Sequence, residues 1–95
     1  MRSNDQSLGD AIREFLHSFR LEDKLNETRL ITSWEKIVGP LVAKHTQNLY
    51  IKNRILFARI DSCALRNELC YSKEKIIRDL NREVSADIIE DIVFK

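Results

Sequence analysis

The spacing of apolar residues changes along the chain, and each change marks an element. Leu8, Ile12, Phe15, Leu16 and Phe19 recur at i, i+4, i+7 and i+8, which predicts a helix with one buried stripe. A second helix is predicted from residues 21–23 onward. Glu22 and Asp23 favour its positive end, and Leu30, Ile31, Trp34, Ile37 and Val38 form its apolar face. Gly39 and Pro40 end it: glycine accepts a left-handed cap, and proline cannot extend the helix. Pro40 is suited to open a short helical turn through Leu41, Val42 and Ala43.

The period then drops to two. Residues 48–52 and 55–60 alternate around Asn53-Arg54, a two-residue turn without the favoured glycine. Asp61 or Ser62 caps a third helix carrying Leu65, Leu69, Ile76, Ile77 and Leu80. A break at Ser72 and an end near Asn81 are expected, with Val84 in the following connection. Residues 88–94, rich in β-branched side chains, predict a last strand. The order ααββαβ predicts an α+β two-layer sandwich, a three-stranded sheet with helices on one face. Residues 1–7 are expected to be a disordered N-terminus and residues 8–95 one domain.

Alternation also sorts the hairpin into two faces. Leu49 and Ile51, then Leu56, Ala58 and Ile60, are expected to meet the helices. Asn48, Tyr50 and Lys52, then Ile55, Phe57 and Arg59, fall on the other side. Three readings of that side are open. The rings of Tyr50 and Phe57 stack on unpaired bases while the cations meet phosphates. The face docks a protein. Or the first helix folds over it and the aromatics are core. Trp34, by contrast, shares the stripe of the second helix and reads as a core anchor rather than a ligand platform.

Charge sharpens the picture. The 95 residues sum to a net charge of +1, yet residues 36–60 contain no acid. That window carries Lys36, Lys44, Lys52, Arg54 and Arg59, a charge of +5 set against −2 on each flank. A segregated positive surface attracts phosphate by releasing counterions, whatever the total charge. Read this way, Lys36, Lys44, His45, Lys52, Arg54 and Arg59 contact phosphates, with Tyr50 and Phe57 stacking on bases or meeting a partner. The alternative is a solvated face beside a hairpin.

Size and composition limit the remaining options. The chain suits one core, with a radius of gyration near ~12 Å if compact. No stretch approaches the ~18 apolar residues of a membrane span. Residues 1–10 are polar, without a signal peptide, so a cytoplasmic protein is expected. Cys63 and Cys70, seven positions apart, lie roughly 10 Å apart on a helix. That is too far for a disulfide, and both read as reduced core or boundary thiols. No close Cys or His pairs suggest a metal, and no cofactor motif occurs.

Catalytic constellations are missing too. There is no phosphate-cradling glycine loop and no Gly-x-Ser-x-Gly elbow. His17 and His45 accompany no nucleophile, and Ser62 reads as a helix cap. Glu90 and Asp91 are adjacent and would point to opposite faces of a strand. A non-enzymatic protein is expected.

One ordered set of residues resembles a known family. Trp34-Glu35-Lys36-Ile37-Val38-Gly39, then Ala43-Lys44-His45-Thr46, precedes the hairpin. Leu56-x-Ala58-x-Ile60-x-Ser62, Leu65-Arg66-x-Glu68-Leu69, Leu80-Asn81 and Ile89-x-Asp91-Ile92-x-Phe94 follow. Together, over residues 8–95, they resemble the DciA family in a compact form, bacterial proteins once labelled possible RNA-binding proteins. The resemblance implies a fold similar to KH, binding of single- or double-stranded DNA, and recruitment or loading of the replicative DNA helicase. RNA binding, or protein docking with little DNA affinity, are the alternatives. Two departures stand out. Leu65 sits where many members have a second Trp. Gly9 and Gly39 stand alone, so the Gly-x-x-Gly phosphate clamp of KH domains has no counterpart.

Overall fold

The computed structural model describes residues 8–18 and 21–95. The elements are α1 (Leu8–Ser18), α2 (Leu21–Thr32), α3 (Trp34–Val38), α4 (Pro40–Lys44), β1 (Thr46–Lys52), β2 (Ile55–Ile60), α5 (Cys63–Tyr71), α6 (Lys73–Val84) and β3 (Asp91–Phe94). The strands lie in the order β1-β2-β3, with β1 antiparallel and β3 parallel to the central β2. Parallel strands need a crossover, and the α5–α6 pair supplies it. The expected α+β class, with helices packed against a three-stranded sheet, is the fold observed.

The core forms where the helices meet the inner face of the sheet. Leu56, Ala58 and Ile60 of β2 and Ile92 of β3 are buried against Leu30, Trp34, Leu69, Ile76 and Leu80. Leu49 and Ile51 of β1 pack at its margin, on the face that alternation assigned to them. Trp34 is 4% exposed, and its indole Nε1 donates a hydrogen bond to Thr46 Oγ1 at 3.0 Å. The expected core anchor is therefore observed.

Several boundaries differ from those the sequence predicts, for local reasons. The second helix breaks at Ser33. There the hydroxyls of Thr32 and Ser33 both donate to Arg29 O, at 2.9 and 2.8 Å, in competition with the helical amide ladder. Val84 lies in no connection: it continues the buried stripe of Ile76 and Leu80, and α6 ends one residue later in the left-handed Ser85 (φ 55°). The last strand begins at Asp91 rather than at residue 88. Asn81 Oδ1 accepts from Ile88 N and Ile89 N, both at 3.1 Å, and its Nδ2 donates to Ile89 O at 2.9 Å. That side chain takes the backbone groups a longer strand would have paired.

Cys63 and Cys70 are free and exposed, so neither is a core thiol. The predicted burial of Leu8 and Ile12 is not observed, since they are 79% and 50% exposed on α1, which packs against α2. Residues 1–7, Phe19 and the side chains of Phe15 and Leu16 lie outside the described residues. The molecule extends 61 Å along its longest axis and its radius of gyration is 16.4 Å, above the value expected of a sphere-like chain.

Gly39 has φ 94° and ψ 163°, a region open essentially to glycine alone. It joins α3 to α4 by this extended, positive-φ step rather than by the left-handed cap expected. A Cβ there would meet nothing within 4 Å, so any penalty is purely one of backbone conformation. Gly39→Ala is expected to destabilise the fold by about 1–3 kcal/mol, read from the urea midpoint. An unchanged midpoint would mean the junction relaxes freely.

Candidate nucleic-acid interface

The hairpin turns at Asn53 and Arg54, with φ of 53° and 65°. Paired positive-φ residues are the backbone of a type I′ turn, whose twist matches that of the strands it joins. Asparagine tolerates this conformation readily, whereas arginine adopts it against a steric penalty that its own contacts must offset. The Arg54 guanidinium reaches Glu90 Oε1 at 3.1 Å, Asp87 Oδ2 at 3.2 Å and Asp87 O at 3.0 Å. Its backbone oxygen accepts from Glu90 N at 2.8 Å. Arg54 thus ties the hairpin tip to the segment between α6 and β3. Hydrogen bonding to Glu90, then the nearby Asp87, raises its pKa above the ordinary arginine value.

The other predicted phosphate-binding residues divide by their partners. Lys36 lies in the helical layer, with Nζ 2.7 Å from Glu83 Oε2. His45 Nδ1 lies 2.7 Å from Asp61 Oδ1. Lys44, at the end of α4, and Lys52 and Arg59, on the strands, are exposed and carry no ion pair among the described residues. The six residues grouped by sequence are therefore not one equivalent set. Three have carboxylate partners from beyond the acid-free window, and three do not.

The register shows what shares the outer sheet face. Tyr50 pairs with Phe57, and Phe57 in turn with Val93, so these side chains form a band across the sheet. The Tyr50 and Phe57 rings stack with centroids 4.9 Å apart and planes 13° from parallel. Tyr50 is 40% exposed, and neither ring belongs to the core cluster, so the reading in which the first helix buries this face does not hold. On one side of the band Lys52 lies opposite Ile55; on the other Arg59 lies opposite Asn48. Asp91 also falls on this face by register, and Lys73 Nζ approaches its Oδ1 at 3.5 Å.

Sequence reasoning missed two cations. Lys95 Nζ sits 5.1 Å from the centroid of the Phe57 ring, a cation–π distance. Arg66, on α5, donates to Ile60 O and to Cys63 Sγ, both at 3.1 Å. Alternation through Asp91, Val93 and Lys95 was a signal for the first. It had no use without knowing that β3 runs parallel beside β2.

A bulge between Thr46 and Asn48 shapes the end of the hairpin remote from the turn. It lets Thr46 face the core beneath Trp34 while Asn48 resumes the outer face. Gln47, the extra residue, donates from Nε2 to Asp61 Oδ2 at 2.7 Å. Asp61 is therefore held at both oxygens, by Gln47 and His45. Among the described residues no helix is long and apolar enough to cross a membrane.

Comparison with known proteins adds two findings. A family model described as "Dna[CI] antecedent, DciA" matches residues 7–94. The chain is also similar to the UPF0232 protein of Corynebacterium glutamicum (strain R), with 31% identity over 61 residues, or 64% of this chain and 34% of that protein. The chain spans about a third of the length of that relative.

Proposed function

The chain belongs to the DciA family, and from this premise we propose that it is a non-catalytic, cytoplasmic adaptor that binds DNA and recruits or loads the bacterial replicative helicase. One observation supports the DNA half above all. The Tyr50 ring, stacked on a half-buried Phe57, is laid open on the sheet, with the unmatched charges of Lys52, Arg59 and Lys95 around the pair. Flat rings flanked by cations suit unpaired bases on a phosphate chain, because every base has a π face and every phosphate a charge. Sequence preference should be weak, since phosphate contacts position a strand without reading it. We read the sheet and its helices as KH-like, but with the rings on the sheet in place of a Gly-x-x-Gly clamp.

The test is fluorescence anisotropy with a labelled oligo-dT strand. Tyr50→Ala is expected to weaken binding about tenfold, the loss of one stacked base. Equal affinity of Tyr50→Ala and wild type would remove the face from the binding site. Competition with a matched RNA strand, which differs by its 2′-hydroxyls, decides between DNA and RNA. A pulldown with the cognate replicative helicase tests the adaptor half.

A second reading, a protein-docking module with little DNA affinity, draws on helices α1 and α2. Leu8, Ile12 and Leu25 are 79%, 50% and 51% exposed there. Salt separates the two: association through an apolar surface barely responds to moderate salt, whereas phosphate binding weakens steeply.

A further inference from the structure

Beyond the outer face, at the bulged end of the hairpin, the surface sinks into a groove of about 900 Å³. Arg59, Arg66 and Lys95 line it together with Gln47, Asn48 and Cys63. Asp61 is the one acidic side chain lining it among the described residues, and its oxygens are already engaged by His45 and Gln47. None of the three cations makes an ion pair among the described residues. Arg66 uses Nη1 on Ile60 O and Nη2 on Cys63 Sγ, which fixes the guanidinium plane and leaves further N–H donors for a ligand. A concave site with three cations and amide side chains from Gln47 and Asn48 has the chemistry of a phosphate seat.

Its position identifies the source of the phosphate. Arg59 pairs across the sheet with Asn48, two residues before Tyr50 on β1, a separation of about 6.6 Å along the strand. That is of the order of one nucleotide repeat of an extended strand. Lys95 joins the two regions physically: it lines the groove and its ammonium lies over the Phe57 ring. Rings and groove are therefore continuous.

We propose that this groove is a backbone-binding subsite, in which Arg59, Arg66 and Lys95 hold the phosphodiester next to a base stacked on the outer face of Tyr50, since Tyr50 and Lys95 already cover the Phe57 ring. It rests on the reading of the outer face as a single-strand platform, and it extends that reading around the end of the sheet to α5. The strand leaves the rings by a defined exit, so the bound DNA has a fixed path rather than a diffuse one. Arg66, outside the acid-free window, becomes a binding residue.

Cys63 supplies a test within the unaltered protein. It lines the groove, while Cys70 is also exposed on α5 but outside it, and so serves as an internal control. Iodoacetamide alkylation of both thiols is followed by mass spectrometry, with and without oligo-dT at a concentration that saturates the anisotropy signal. Cys63 is expected to be protected several-fold and Cys70 not at all. In parallel, Arg66→Gln is expected to lower the slope of log affinity against log salt by about 0.7, the value of one single-strand phosphate contact. Arg66→Lys, which keeps the charge but not the guanidinium geometry, should restore it. Bound oligo-dT that leaves Cys63 as reactive as in the free protein, with an unchanged slope for Arg66→Gln, overturns the subsite while the platform stands. Protection of Cys63 together with undiminished binding by Tyr50→Ala overturns the platform and keeps the groove. No binding of oligo-dT by wild type overturns both.

Discussion

Replacing Trp34 by alanine is expected to destabilise the protein by about 3–5 kcal/mol, the range for removing a buried large aromatic side chain. Small domains are stable by only about 5–15 kcal/mol, so this one change removes a large share of the margin. Two losses combine. The ring is 4% exposed, and its removal leaves a cavity between α3 and the sheet. The hydrogen-bond chain from Trp34 Nε1 to Thr46 Oγ1 (3.0 Å), and from that hydroxyl to Val42 O (2.7 Å), loses its first donor. This chain fastens the start of β1 to α3 and α4, so the damage reaches the strand that carries Tyr50. Trp34→Phe separates the terms. It keeps most of the apolar contact and forfeits the donor, for about 1 kcal/mol. Urea unfolding with an unchanged m-value is the measurement. A destabilisation below about 1 kcal/mol for Trp34→Ala would show that the site collapses around the gap. Since the indole faces the core, Trp34→Phe should leave oligonucleotide affinity unaltered.

The sequence expresses the sheet better than it expresses the site, and particular residues explain why. The hairpin was legible because its alternation is strict: Leu49, Ile51, Leu56 and Ala58 on one side, Tyr50, Lys52, Phe57 and Arg59 on the other, as the register requires. The break at Ser33 was hidden, because Leu30, Trp34 and Ile37 keep a helical spacing across it while two hydroxyls compete for one carbonyl. Val84 was hidden by the assumption that Asn81 ends its helix. Asn81 instead lies within α6 and uses its amide on Ile88 and Ile89. Charge was the least transparent. A run without acids locates cations along the chain, but their partners arrive from far away, as Glu83 does for Lys36 and Glu90 for Arg54. The groove needs residues from β1, β2, α5 and the end of β3 together, a juxtaposition no linear pattern carries.

The pairing of charges sets the second large expectation. Lys52→Glu combined with Arg59→Glu is expected to weaken oligo-dT binding on the order of 100-fold, at about 1.5 kcal/mol for each charge-assisted hydrogen bond to phosphate that is removed. The salt slope should fall by about 1.4 for two single-strand phosphates. The fold should survive, because both side chains are exposed and neither makes an ion pair among the described residues; such surface changes stay within about 0.5 kcal/mol. Arg54→Gln is the informative contrast. Its guanidinium is engaged by Asp87 and Glu90, and its residue holds a positive-φ turn position. That substitution should lower the unfolding midpoint, by freeing the hairpin tip from the segment before β3, and leave the salt slope as it is. The comparison separates a cation that binds phosphate from one that holds the hairpin in place. Should the double reversal bind oligo-dT with wild-type affinity and slope, the strand would have to pass elsewhere, and Lys44 would be the remaining unmatched cation of the acid-free window among the described residues.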